Sequence, residues 1–136
     1  MVTTALRYDL CTPSPTRQTD MSAPARTLFE KIIAREIPAT IVYEDEHCIA
    51  FKDINPCAPL HTLLVPKKPL IQLSHAAPED QALLGHLMLT ATKVAELEGL
   101  GDAYRLVVNN GAKAGMSVPH LHLHLIGGRP LKWPPA

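Results

Sequence analysis

Cysteine is scarce in this 136-residue sequence: Cys11, Cys48 and Cys57 are an odd number, widely spaced and without a CxxC pair. That argues against a disulfide framework and fits a reducing compartment. An excess of either charge is missing too. Lys+Arg and Asp+Glu are both 13, so the formal net charge is zero with His neutral. Binding to nucleic acid or to an anionic membrane usually leaves a basic excess, so neither is expected as the main partner. Apolar runs such as Leu63 to Val65, Ile32 to Ala34, and Leu87 to Leu89 beside Leu83 and Leu84 are short, and none approaches the roughly 18 residues of a membrane span. The length leaves room for one domain of ordinary size. Two features exceed the average. Thirteen prolines are about twice the usual ~5%, and seven histidines include three within five positions.

Met1 to Arg26 carry Pro13, Pro15 and Pro24, many Ser and Thr, and no helical or strand period. Residues 1–26 therefore read as a flexible N-terminal extension, and 27–136 as the folded domain. Arg7, Arg17 and Arg26 also suggest mitochondrial targeting, which Asp9 and Asp20 weaken. A cytoplasmic location is expected, with a nuclear one as the second reading. Thr27-Leu28-Phe29-Glu30 reads as a capping box, and Phe29, Ile32 and Ile33 share one face of a two-turn helix that Pro38 stops. Thr40 to Glu44 and His47 to Asp53 form a hairpin around Asp45-Glu46, and His61 to Val65 a third strand. Pro78-Glu79-Asp80 starts a longer helix. Its apolar face is Leu83, Leu84, Leu87, Met88, Ala91, Val94 and Ala95, and Gly99 or Gly101 ends it. Tyr104 to Val108 and Val118 to Ile126 are the fourth and fifth strands. Two helices and five strands, mostly joined by connections too short for parallel crossovers, predict an α+β fold with a five-stranded antiparallel sheet.

His120-Leu121-His122-Leu123-His124-Leu125 alternates strictly. Residues two apart on a strand share a face, about 6.5 Å from each other, so the imidazoles project to one side and the leucines to the other. Half-buried strands need no histidine for packing. The spacing alone leaves two chemistries open. Alternate imidazoles can ligate zinc, or one can act as nucleophile or acid/base while its neighbours hold substrate. The loop before the strand tips the balance. Gly111 and Gly115 beside Ser117 can present backbone N–H groups as a phosphate-binding nest, and no carboxylate or cysteine close by in sequence completes a metal site.

The run from His120 to Ile126 resembles the histidine triad pattern, His-φ-His-φ-His-φ-φ with φ apolar. Further segments look like the Hint branch of that family. They are Phe51-Lys52-Asp53-Ile54, Ala58-Pro59-Leu60-His61, Val65-Pro66-Lys67-Lys68, Leu83-Leu84-Gly85-His86-Leu87-Met88, Val107-Val108-Asn109 and Gly127-Gly128-Arg129 with Trp133-Pro134-Pro135. The resemblance implies a purine nucleoside phosphoramidate hydrolase that releases AMP or GMP without metal or other cofactor. It also implies a homodimer, whose sheet would continue across the two copies. By the same resemblance His122 is the nucleophile, His120 and His124 flank it, and His61 is a fourth site histidine. Asn109 and Ser117 meet phosphate and leaving group, and Asp53 accepts from the ribose hydroxyls. Phe29, Ile32, Ile37, Phe51 and Ile54 form the purine slot, although the same residues also suit a plain core. A nucleotide-binding interaction module and a dinucleoside polyphosphate hydrolase are the alternative readings. Lys52, Pro69 and Pro119 depart from the branch's pattern.

Overall fold

A computed structural model describes residues 26–136; the extension read over 1–26 lies outside them except for Arg26. Thr27 opens helix α1 (Leu28–Ile33) with the expected capping box. Its hydroxyl accepts from Glu30 N at 3.1 Å while the Glu30 carboxylate accepts from Thr27 N at 2.9 Å. The helix ends earlier than Pro38 would require. Arg35 takes φ 63°, Arg35 N donates to Ile32 O and Glu36 N to Lys31 O. These two bonds are the left-handed C-terminal motif that glycine usually supplies, here built on an arginine.

Strands β1 (Ile41–Glu44) and β2 (Cys48–Lys52) form the hairpin. Asp45 Oδ1 fixes its turn by accepting from His47 N and Cys48 N. Strand β3 (Leu60–Pro66) follows, then a short turn of 3-10 helix at Pro78–Asp80, helix α2 (Gln81–Leu97), β4 (Tyr104–Val107) and β5 (Leu123–Gly127). The sheet order is β1-β2-β3-β5-β4, antiparallel at every pairing. α2 covers one face with Leu87, Ala91, Val94 and Ala95, packed on Cys48, Ala50, Leu64, Leu123 and Leu125. Met88, expected on that apolar face, is 54% exposed instead. The other face carries Ile49, Phe51, Leu63 and Val65, and α1 covers part of it with Phe29 and Ile32.

The fifth strand is shorter than its alternating pattern. The β3–β5 ladder runs from Leu60↔Gly127 to Leu64↔Leu123 and stops. Two residues further on, β3 ends at Pro66, which has no N–H to offer. The Pro66 carbonyl lies 2.8 Å from His120 Nε2, and Leu121 N donates to Leu70 O. His120, Leu121 and His122 therefore lie outside the sheet, His120 in the bend that follows Pro119. At the opposite end, Gly128 has φ 96°, and a Cβ there would stand 2.9 Å from Pro59 Cβ. That close approach presses the loop preceding β3 against the end of β5.

Candidate active site

His124 sits in the ladder opposite Leu63 on one side and Val107 on the other. His122 precedes it on the same side of the chain, with ring centroids 5.0 Å apart. Phe29 meets the His122 ring edge-on at 4.9 Å. These groups close the end of a cavity of about 240 Å³ between α1 and the sheet. Of the residues expected in the site, Phe29, Ile32, Ile37, Phe51, Asp53, Ile54, Ser117, His122 and His124 all line it. Cavity wall and core share the same residues here. Phe29, Ile32 and Phe51 are 4%, 6% and 3% exposed and belong to the packed cluster under α1, yet they also wall the cavity. Ile54, 86% exposed, forms its rim.

Hydrogen bonds assign the protons. Cys57 N donates to His61 Nδ1 at 3.1 Å, so a neutral His61 carries its proton on Nε2. That Nε2 lies 2.9 Å from His124 Nδ1, which must then accept. The His124 proton is consequently on Nε2, a buried nitrogen with no partner among the described residues. On His122 the arrangement is reversed. Its Nδ1 lies 2.7 Å from the His120 carbonyl and donates to it, which leaves Nε2 with a free lone pair. Two adjacent rings thus present opposite character, an acceptor on His122 and a donor on His124.

Electrostatics preserve this state. Burial is the main cause that lowers the His122 pKa below 6.5, opposed by the bond to the His120 carbonyl. Burial also pushes His124 down to about 4, helped by the neighbouring His122 and His61 imidazoles. Both rings are neutral at pH 7.

Four expected residues do not line the cavity. His61 acts on it through His124. His120, 1% exposed, turns its ring to Pro66 O and lines a separate hollow with Pro69 and Pro119. It serves His122 by its main-chain oxygen. Asn109 and Gly115 pack on each other: a Cβ on Gly115, at φ 103°, would stand 3.6 Å from Asn109 Nδ2. Lys52 turns to Glu98 at 3.2 Å. The Cys57 N–H and the His120 carbonyl were absent from the sequence reading, because main-chain groups leave no residue-type signal.

Asp53 stands 3.4 Å from His61 Nε2, and Asp53, His61 and His124 offer ligand atoms within 4.8 Å of one another. Two nitrogens on tetrahedral zinc at ~2.0–2.1 Å would be about 3.3 Å apart. The 2.9 Å between His61 and His124 matches a hydrogen bond instead, and the bond from Cys57 places a proton at that contact. A second such group, Asp45, Cys48 and His86, is already joined by donors. Asp45 accepts from Tyr43 Oη, His86 Nε2 and two backbone N–H groups.

The model of the HIT domain family matches residues 34–131. An uncharacterized HIT-like protein of Synechocystis is 67% identical over 109 residues, which cover 80% of this chain and 96% of that relative. The crystal structure of a HIT family hydrolase from Legionella pneumophila superposes with a TM-score of 0.79 at 46% identity, covering 82% of this chain and 100% of that one. A HIT family hydrolase from Clostridium thermocellum gives 0.77 at 43% identity, covering 81% and 96%. With its fold, its histidines and its close relatives in agreement, the chain belongs to the HIT family.

Proposed function

We propose that the protein hydrolyses purine nucleoside 5′-phosphoramidates, as expected for the Hint branch, and releases AMP or GMP through a nucleotidyl-His122 intermediate. The observation that carries this reading is the pair of opposite tautomers at the end of an apolar slot. A phosphorus shielded by anionic oxygens is best attacked by a neutral nucleophile, and His122 Nε2 offers one. The lone pair forms the N–P bond while the P–N bond to the amine breaks. The departing nitrogen takes a proton that Ser117 passes on from water, its hydroxyl donating one proton and accepting another. His124 Nε2–H donates to a non-bridging phosphate oxygen, a fixed donor where charge develops. Water then attacks phosphorus, the N–P bond breaks, and His122 recovers its lone pair as the proton leaves to solvent. One hard displacement becomes two easier ones.

The flat apolar slot rewards ring area. Purines should therefore be preferred over pyrimidines by a modest margin, on the order of 1–3 kcal/mol. The test is turnover of adenosine and uridine 5′-phosphoramidates by purified protein, with and without chelator. Turnover that survives chelator and favours adenosine is expected. No turnover, or activity lost to chelator and restored by zinc, overturns the reading; equal kcat/KM for the two bases removes the slot assignment.

A further inference from the structure

Glu98 stands where helix chemistry disfavours it. It is the C-cap of α2, at the negative end of the helix, which repels a carboxylate. Gly99, at φ 76°, closes the turn after it: Gly99 N donates to Glu96 O and Leu100 N to Ala95 O. This glycine motif fixes the Glu98 backbone. The Glu98 side chain is 10% exposed. Burying a carboxylate there is costly unless it is paired and hydrogen-bonded, so its partners explain its place.

Those partners come from two strands. Lys52 Nζ lies 3.2 and 3.3 Å from the two Glu98 oxygens, and the buried Thr62 hydroxyl donates to Oε1 at 2.7 Å. Lys52 and Thr62 stand opposite each other in the β2–β3 ladder. They alternate onto the α2 face with Ala50 and Leu64, so the residue after Lys52 and the residue before Thr62 belong to the cavity face. These are Asp53 and His61. Asp53 N donates to His61 O at 2.9 Å, Asn55 N donates to Asp53 Oδ1, and Asp53 Oδ2 stands 3.4 Å from His61 Nε2. The same Nε2 is 2.9 Å from His124 Nδ1. One proton thus faces two acceptors, and the spacing between β2 and β3 determines which of them it serves.

We infer that Glu98 is a positioning residue: by holding Lys52 and Thr62 together behind the sheet, it keeps Asp53 at its distance from His61 and leaves the His61 proton to His124. Without that clamp the Asp53 carboxylate closes on His61 and takes over the hydrogen bond. His124 Nδ1 then has no donor to accept from, and the preference for the Nε2–H form is lost. The His124 proton moves from Nε2 to Nδ1 by exchange with solvent, so the ring stays neutral but no longer offers a donor at Nε2. The kinetic consequence rests on the hydrolase reading above; the tautomer does not.

Two measurements on the full chain test this. Nitrogen NMR shifts of the His124 ring at pH 7 report which nitrogen carries the proton, and steady-state kinetics follow an adenosine 5′-phosphoramidate. The wild type is expected to show the Nε2–H form. In Glu98→Ala the Nδ1–H form should reach a comparable share, with kcat down about tenfold through the lost donor and KM within about twofold. Lys52→Arg, which still reaches the carboxylate, should behave as wild type. Lys52→Met leaves the Thr62 bond in place and should fall between; it serves if Glu98→Ala does not fold. A lower Tm with the wild-type tautomer kept means that Glu98 merely stabilises and overturns the inference, as does a changed tautomer with kcat unaltered. The expected tautomer change in a protein that turns over no phosphoramidate, even as wild type, removes the hydrolase reading and leaves the positioning role standing.

Discussion

His122 and His124 are the same residue two positions apart, and their chemistry differs only through which nitrogen is already taken. The alternation could place them on one face, but not assign the protons. That assignment comes from the His120 carbonyl and from the relay that starts at the Cys57 N–H. His122→Ala is expected to lose at least ~10³-fold in kcat while nucleotide affinity stays within about tenfold, since the missing group acts in the transition state. Rapid quench of the wild type should trap a nucleotide on His122. A larger kcat loss in His124→Ala than in His122→Ala would reverse the two roles. The pH dependence follows from the same burial. Both rings stay neutral below 6.5, so kcat/KM should hold through that value and fall only on its acid side. Stability carries the matching sign: the unfolded chain takes up these protons near 6.5 and the folded chain does not until lower pH, about 4 for His124. Tm should therefore drop as pH falls from 6.5 toward 4, and less steeply in His124→Gln.

At the scale of elements, periodicity and capping chemistry were informative where a segment obeys its own sequence, and misleading where a neighbour decides. α2 and β4 lie close to where the pattern put them. α1 stops early because Arg35 adopts a conformation usually left to glycine, which no residue type announces. β5 starts late because β3 runs out of donors at Pro66. The capping box, in contrast, was fully legible from Thr27 and Glu30. It has a functional side, since α1 supplies the Phe29 and Ile32 wall of the cavity. Thr27→Ala is expected to cost about 1 kcal/mol of stability. KM for the nucleotide should rise more than kcat falls. A denaturant titration beside steady-state kinetics checks both, and an unchanged KM would mean that the wall holds without its cap.

For the whole molecule, the motifs shared with the family pointed to the triad and to residues that line the cavity beside it. Assembly is a proposal that the surface supports. Among the described residues, β4 ends the sheet with one side unpaired, and Met88, Leu89 and Leu97 of α2 are 54%, 72% and 60% exposed. A second copy could cover both, which an open edge favours. Sedimentation at micromolar concentration should give a dimer, and a stable monomer there would remove the claim. The strand order also bears on how the chain reaches this shape. β5 comes last of the five strands yet sits between β3 and β4, and Leu64 waits for Leu123 across most of the domain. Such non-local pairing slows folding, and it leaves one edge of β3 bare until the late segment docks. During synthesis His122, the proposed nucleophile, and the strand that seals the sheet emerge together. A growing chain is therefore exposed to aggregation for just as long as it is catalytically silent.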